Sequence, residues 1–324
     1  MKEIKTEDAV GMVLCHDLTQ IIKDEYKGSR FKKGHVVKEE DIPVLLSMGK
    51  EHLYVWENDE DLLHENDAAK ILAEISMGEN TTTNGKIAEG KITITSKIDG
   101  LLKIDANLLE RLNDVEMVMI ATKRNNIAVK KYSPLASMRV IPLVVKKELM
   151  KKCQNIAGNN KILSIKPFIG GDAIMIATGE EIKKGRIEDT FSPVLTQKVK
   201  DYNYDIKKVI YPGDDVEIIT RQINEAIENG AKAVFCSGGM SVDPDDNTPL
   251  AIRNASDEVI TYGAPVLPGA MFMLAYKNNV PIIGLPGCVM YAKKTVFDLL
   301  IPRISAGEKL CKKDIVKLGM GGLL

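Results

Sequence analysis

"AKAVFCSGGMSVDPDDNTP", residues 231–249, decides how the chain reads. It opens on a short apolar run, Ala233–Cys236, of the kind that forms a strand buried on both faces. It closes on Thr248-Pro249, an N-cap followed by a proline at the first helical position. A strand, a loop and a helix in that order form one half of a βαβ unit. The loop between them holds Gly238, Gly239, Ser237 and Ser241, then Asp243, Asp245 and Asp246. Adjacent glycines at a strand end let backbone N–H groups converge on an anion, whereas three aspartates repel one. A phosphate compound that carries a divalent cation satisfies both, because Mg²⁺ takes one or two carboxylates together with phosphate oxygens.

The same alternation runs outward on both sides. "AIMIATG" precedes a helix expected from Ser192, and "IKKVIYP" precedes a helix expected from Asp214. "AMFMLAY" and "VPIIGLPG" follow, then a long helix near 290–300. In the helix 215–228, Val216, Ile219, Ile223, Ala226 and Ile227 share one face, as a helix lying on a sheet requires. The expectation for 160–310 is an α/β fold with a mostly parallel sheet flanked by helices. Ahead of it, residues 1–76 read as a small α+β segment that ends in a charged amphipathic helix over 59–76. Residues 77–150 read as a small β-rich domain, with "KITITSK", "NNIAVKKY" and "MRVIPLVV" as strands and a helix near 105–113. The tail, 311–324, ends in "KLGMGGLL", free to move unless it docks.

Ligands of open α/β sheets bind beyond the carboxyl ends of the strands, so the residues after each strand are the candidates. After "AIMIA" stand Thr178, Gly179, Glu180 and Glu181. After "KVIYP" stand Gly213, Asp214 and Asp215, where Asp214 reads as the N-cap, with Glu217 completing a capping box, and Asp215 is left over. After "PIIG" stand Leu285, Pro286, Gly287 and Cys288. A cysteine at a helix start is placed to have a lowered thiol pKa. Each of these loops alone is an ordinary turn; their succession along one sheet edge is the signal.

Composition narrows the function classes. The formal net charge is -1, and only eight of the 44 basic residues are arginines, which argues against a nucleic-acid or membrane-surface partner. The five cysteines include no C-x-x-C pair, so reduced thiols and a cytoplasmic protein are expected. The N-terminus lacks the apolar core of a signal peptide. All four histidines lie before residue 65, so chemistry in the α/β part proceeds without imidazole.

With these loops in view, the segment 165–305 resembles the molybdenum-cofactor biosynthesis (molybdopterin-binding) domain, most closely the version in molybdopterin molybdotransferases. The resemblance rests on "TGEEI" at 178–182, "DD" at 214–215, "SGGMSVDPDD" at 237–246, "PGAM" at 268–271 and "LPGCV" at 285–289, in the family's order. It implies a molybdopterin ligand whose phosphate lies on Gly238, Gly239 and Ser241, with Thr178, Gly179, Ser237, Pro286, Gly287 and Cys288 around it. It implies Glu181, Asp215 and Asp246 as the acidic catalytic residues, with Mg²⁺ on Asp215 and Asp246. The implied reaction inserts molybdate into adenylated molybdopterin and releases AMP, in a homodimer. This chain departs from the pattern at Asp243, where the family has glycine, and at Met271, Cys288 and Val289. Two alternatives therefore stay open: a molybdopterin carrier or sensor without catalysis, and a nucleotide hydrolase on the same domain type.

Overall fold

The computed structural model describes residues 2–22, 25–55, 61–243 and 246–324. The chain forms two compact units. The first comprises residues 1–97, 104–124 and 132–164; the second comprises 98–103, 125–131 and 165–324. Among the described residues no helix is long and apolar enough to cross a membrane.

In the first unit an antiparallel sheet runs in the order Thr81–Ala88, Lys91–Ser96, Pro134–Val140, Val118–Thr122. The helix Glu65–Ser76 packs on it, presenting Ala68, Ala69, Leu72 and Ile75 as its buried side. Nearer the N-terminus, Leu14, Leu18, Phe31, Leu45 and Leu53 gather into a separate small core. Two expectations are corrected here. The helix expected over 59–76 begins only at Glu65; residues 59 and 60 lie outside the described residues, and Leu62–His64 is a strand paired antiparallel with Val144–Lys146. His64 stops the helix from extending backwards. Its Nδ1 caps the Asn66 N–H at 3.1 Å, and its Nε2 lies 2.7 Å from the Cys15 carbonyl oxygen. "MRVIPLVV" is two strands, Pro134–Val140 and Val144–Lys146, because Pro142 between them has no N–H to give a ladder.

The second unit is built on a six-stranded sheet. Its strands are β1 (Gly171–Ala177), β2 (Tyr204–Ile210), β3 (Ala233–Ser237), β4 (Glu258–Tyr262), β5 (Met273–Lys277) and β6 (Val280–Leu285). They lie in the order β2-β1-β3-β6-β5-β4. The pairs β1–β2, β1–β3 and β3–β6 are parallel, and β5 and β4 add antiparallel to the far edge. The helices are α1 (Glu180–Lys183), α2 (Phe191–Lys200), α3 (Val216–Glu228), α4 (Thr248–Ala255), α5 (Val296–Ser305) and α6 (Lys312–Val316).

The period of two in β3 divides the core. Ala233 and Phe235 meet Leu195 of α2 and Phe297 and Leu300 of α5 on one face. Val234 and Cys236 meet Ile219 and Ile223 of α3 and Ile252 of α4 on the other. All five residues of β3 are buried, which is why it reads as an unbroken apolar run. Burying Ile219 and Ile223 completely contributes about 1.5–3 kcal/mol each.

Several local expectations change. The strand β4 went unread, since Glu258–Tyr262 is a short edge strand with exposed ends. The N-cap of α3 is Asp215, whose carboxylate accepts from the Ile218 N–H at 2.9 Å. Asp214 caps elsewhere, accepting from the Glu180 N–H at 2.9 Å. The helix α4 starts at Thr248 itself, with Asn247 as its N-cap. The last long helix begins at Val296, after a 3-10 turn over Gly287–Met290, and Thr295 and Asp298 form its capping box. The tail docks: Ile315 is fully buried, and Leu267 exchanges backbone hydrogen bonds with Gly322 and Leu324 at 2.8 and 2.9 Å.

Candidate functional site

From β1 the chain moves outward to β2, then crosses back over β1 to β3. The strand order therefore reverses between β1 and β3, and the carboxyl ends of these two strands flank the crevice where an α/β sheet takes its ligand. The residues there are Thr178 and Gly179 after β1, and Gly238 and Gly239 after Ser237 of β3.

Thr178 welds the two ends. Its N–H donates to the Ser237 carbonyl at 2.8 Å, and its Oγ1 lies 3.1 Å from the same oxygen and 3.0 Å from Thr248 Oγ1. The weld leaves no room for a side chain beside it. A Cβ on Gly238 would stand 2.5 Å from the Thr178 carbonyl oxygen, and Gly238 has φ +83°. Gly239 follows with φ +52°. Side chains avoid both the space and the backbone conformation, which explains the glycine pair.

Beyond the glycines, the N–H groups of Gly238, Gly239, Met240 and Ser241 donate to no protein acceptor among the described residues. The carbonyls of the same loop are held. Tyr262 Oη lies 3.0 Å from the Met240 oxygen and 3.1 Å from the Ser241 oxygen. A trans peptide points its N–H opposite to its C=O, so the phenol fixes which way the Ser241 N–H faces. Neighbouring loops are tied in through Asn247, whose Nδ2 donates to the Asp214 carbonyl at 3.0 Å.

These loops enclose a cavity of about 510 Å³, within the usual range for small-molecule sites. Of the residues expected from the sequence, Thr178, Ser237, Gly238, Gly239, Ser241, Asp246, Pro286 and Gly287 line it. Gly179, Glu181, Asp215 and Cys288 do not. Gly179 is the N-cap of α1, with φ +122°. Glu181 is exposed, and its carbonyl accepts from Arg186 N. Asp215 is spent on the α3 cap. Cys288 is half-buried, and burial pushes its thiol pKa up, correcting the expectation of a lowered one. Asp245 lies outside the described residues.

Asp189, an acid that the sequence reading did not place at the site, lines the cavity with Asp243 and Asp246. Asp189 accepts from the N–H groups of Phe191 and Ser192, from Ser192 Oγ and from Tyr211 Oη. Burial raises its pKa, but the Ser192 and Tyr211 hydrogen bonds outweigh that and hold it below the usual carboxylate range. Asp189 is thus saturated. Asp243 and Asp246 are bound to each other's backbone: Asp246 N donates to the Asp243 carbonyl at 2.9 Å, and Asp243 N to Asp246 Oδ2 at 3.4 Å. The remaining wall is apolar, from Ile182, Phe191, Met240 and Met271, and among the described residues no lysine or arginine lines it. Among the described residues no three His, Cys, Asp or Glu side chains converge as a metal set.

Residues 174–306 match the family described as a probable molybdopterin binding domain. The match takes in both glycines, the acidic loop and the last βα turn of the site. Residues 3–57 match a family described as a domain of unknown function. Among curated proteins, Protein PH0439 of Pyrococcus horikoshii is 30% identical over 83 residues, 26% of this chain and 32% of that protein. A CinA-like protein of Fervidobacterium nodosum is 35% identical over 83 residues, 26% of this chain and 20% of that one. A probable FAD synthase of Caenorhabditis briggsae is 32% identical over 83 residues, 26% and 16% respectively. The chain thus spans about a third or less of the length of these relatives. Among solved structures, the molybdopterin biosynthesis enzyme MoaB of Thermus thermophilus aligns with a TM-score of 0.38 at 16% identity, covering 42% of this chain and 97% of that one.

Proposed function

We propose that the cavity between the ends of β1 and β3 binds molybdopterin or its adenylate, and that the protein acts in molybdate insertion. The observation that carries the reading is the run of four N–H groups, Gly238 to Ser241, without acceptors among the described residues, at the strand-order reversal. Such a run receives a phosphate. With no lysine or arginine on the wall among the described residues, the phosphate is held chiefly by backbone dipoles. The apolar wall of Phe191 and Met271 suits the flat face of a heterocycle, and the carboxylates suit its N–H donors.

Asp243 and Asp246 fit the coordination habit of Mg²⁺, which takes one or two carboxylates and completes its shell with phosphate oxygens and water. Asp215 joins such a set only by giving up its cap. A bound Mg²⁺ would polarise a pyrophosphate bridge as a Lewis acid. The chain's own part is to hold the terminal phosphate in a preorganised cradle and to fix the carboxylates beside it.

The test uses the purified chain with adenylated molybdopterin, Mg²⁺ and molybdate. AMP release that depends on molybdate supports insertion. Tight binding without AMP release refutes insertion and supports a carrier or sensor, the reading that Asp243 and Met271 favour as departures from the family pattern. A nucleotide hydrolase is the second reading, since a backbone cradle recognises phosphate rather than pterin. Hydrolysis of a dinucleotide with no affinity for molybdopterin establishes it. Light scattering tests the expected homodimer.

A further inference from the structure

The first unit holds a cavity of about 360 Å³ lined by His16, Asp17, Lys50, Glu65, Glu89 and Arg139, with Tyr54 and aliphatic side chains completing the wall. Its charged groups come from separate parts of the chain. Glu65 is the first residue of the helix Glu65–Ser76, Arg139 lies on the strand Pro134–Val140, and Glu89 sits at the turn after Thr81–Ala88. Glu65 is 6% exposed, and Arg139 Nη2 stands 3.3 Å from its Oε2. Backbone presses on the same carboxylate from another side: a Cβ on Gly90 would fall 2.1 Å from Glu65 Oε2. Glu89 Oε1 accepts from Thr19 Oγ1 at 3.0 Å, and Asp17 Oδ1 from the Lys33 N–H at 2.7 Å.

These bonds leave both signs of hydrogen-bonding capacity unspent. Asp17 Oδ2 and Glu89 Oε2 accept no hydrogen bond among the described residues. The Lys50 ammonium has no carboxylate within ion-pair distance among the described residues. Arg139 spends Nε on the Val140 carbonyl and Nη2 on Glu65, which leaves donors on Nη1. Burial, reinforced by the Lys50 charge, pushes the His16 pKa down. Burial also pushes the Glu65 pKa up against the opposing Arg139 charge.

A purely anionic ligand would face Asp17, Glu65 and Glu89. A purely cationic one would face Lys50 and Arg139. A metal ion is a poor occupant, since no three His, Cys, Asp or Glu side chains converge among the described residues. A zwitterion meets both needs at once: its carboxylate on Lys50 and Arg139, its ammonium on the spare carboxylate oxygens. The volume stands near the lower end for small-molecule sites, which suits a compact metabolite. We propose that this cavity is a second ligand site, which binds a free α-amino acid.

The experiment is a thermal-shift survey of the full chain against each proteinogenic α-amino acid at about 10 mM, followed by titration calorimetry on any that raises the melting temperature. Acetate and ethylamine serve as single-charge probes. The expected result is stabilisation by at least one amino acid, with neither single-charge probe matching it. Lys50→Met and Asp17→Asn should each weaken that binding, the first by at least about tenfold. Among the described residues Lys50 makes no ion pair, so its variant retains the fold and remains informative. The proposal is overturned if no amino acid stabilises the chain. It is also overturned if acetate binds as well as the amino acid, or if both variants bind it undiminished.

Discussion

Glu308 gives the sharpest test of how the second unit is held together. Its carboxylate receives Lys103 Nζ at 2.6 Å, Arg303 Nε at 2.7 Å and Lys166 Nζ at 3.2 Å. Lys103 and Lys166 lie outside the matched domain, so one carboxylate fastens two flanking segments to the end of α5. Burial raises the Glu308 pKa, but the hydrogen bonds from Lys103 and Arg303 outweigh it and bring the pKa to about 2 from 4.5. That difference corresponds to about 3 kcal/mol at most. Lys166 is 49% exposed and Lys103 26%, and solvent screening there reduces it to about 2 kcal/mol. The native pKa is the lower one, so the stabilisation is complete above pH 4.5 and is lost as pH falls towards about 2. Glu308→Gln should therefore melt about 4–8 °C below the wild type at neutral pH, in calorimetry of the full chain. The gap should close by more than half by about pH 3. A gap that stays constant from neutral pH to that point, or no gap at all, would refute the charge argument and leave Glu308 as ordinary packing.

The remaining predictions concern the site. Gly238→Ala should cost about 2–3 kcal/mol, from its positive φ and its contact with the Thr178 carbonyl, and abolish phosphate binding. Gly287→Ala, in the same cavity with nothing within 4 Å of the added methyl, should be neutral in denaturant titration; equal losses would show that the cradle geometry is wrong. Tyr262→Phe should weaken pyrophosphate affinity about tenfold, read by calorimetry, while its melting temperature moves little. Unchanged affinity would mean that the phenol does not set the loop. In a mass-spectrometric iodoacetamide time course at neutral pH, exposed Cys311 should react well before Cys288, whose thiol burial keeps protonated. The reverse order would restore the lowered thiol pKa expected of Cys288 from the sequence.

The sequence made the second unit's layers visible because burial on both faces leaves an unmistakable apolar run, as in "AVFC" of β3. The strand β4 was hidden for the opposite reason, being an edge element whose side chains are half solvent-facing. Adjacent Asp214 and Asp215 could not be told apart as caps, since either side chain suits a helix start. The deciding fact is a contact 34 residues distant, where Asp214 meets the Glu180 N–H. Asp189 escaped notice because it reads as a lone acid before a helix; its place at the cavity depends on where α1 and α2 pack. Leu62–His64 likewise becomes a strand only through its partner Val144–Lys146, far along the chain. Local signals thus named the loops, while long-range pairing chose which of their acids face the cavity.

That choice bears on how the acidic loop and the glycine loop coexist. Were Asp243, Asp246 and Asp189 all free at the cavity, their combined charge would repel a phosphate through a low-dielectric site. Asp189 is instead saturated by hydrogen bonds, and one Asp246 oxygen is turned back to the Asp243 N–H. The carboxylates of Asp243 and Asp246 offer one sign of potential to the cavity, and the N–H groups of Gly238 to Ser241, without acceptors among the described residues, offer the other. A ligand that carries its own cation against its phosphate is attracted by both sides, and a bare phosphate by only one. Phosphate-type ligands should accordingly bind more tightly with Mg²⁺ than without it, and Asp246→Asn should erase that difference while leaving the Mg²⁺-free affinity equal or improved. If Asp246→Asn instead weakens binding equally in both conditions, the carboxylate belongs to the loop's architecture, and the cation needs another seat.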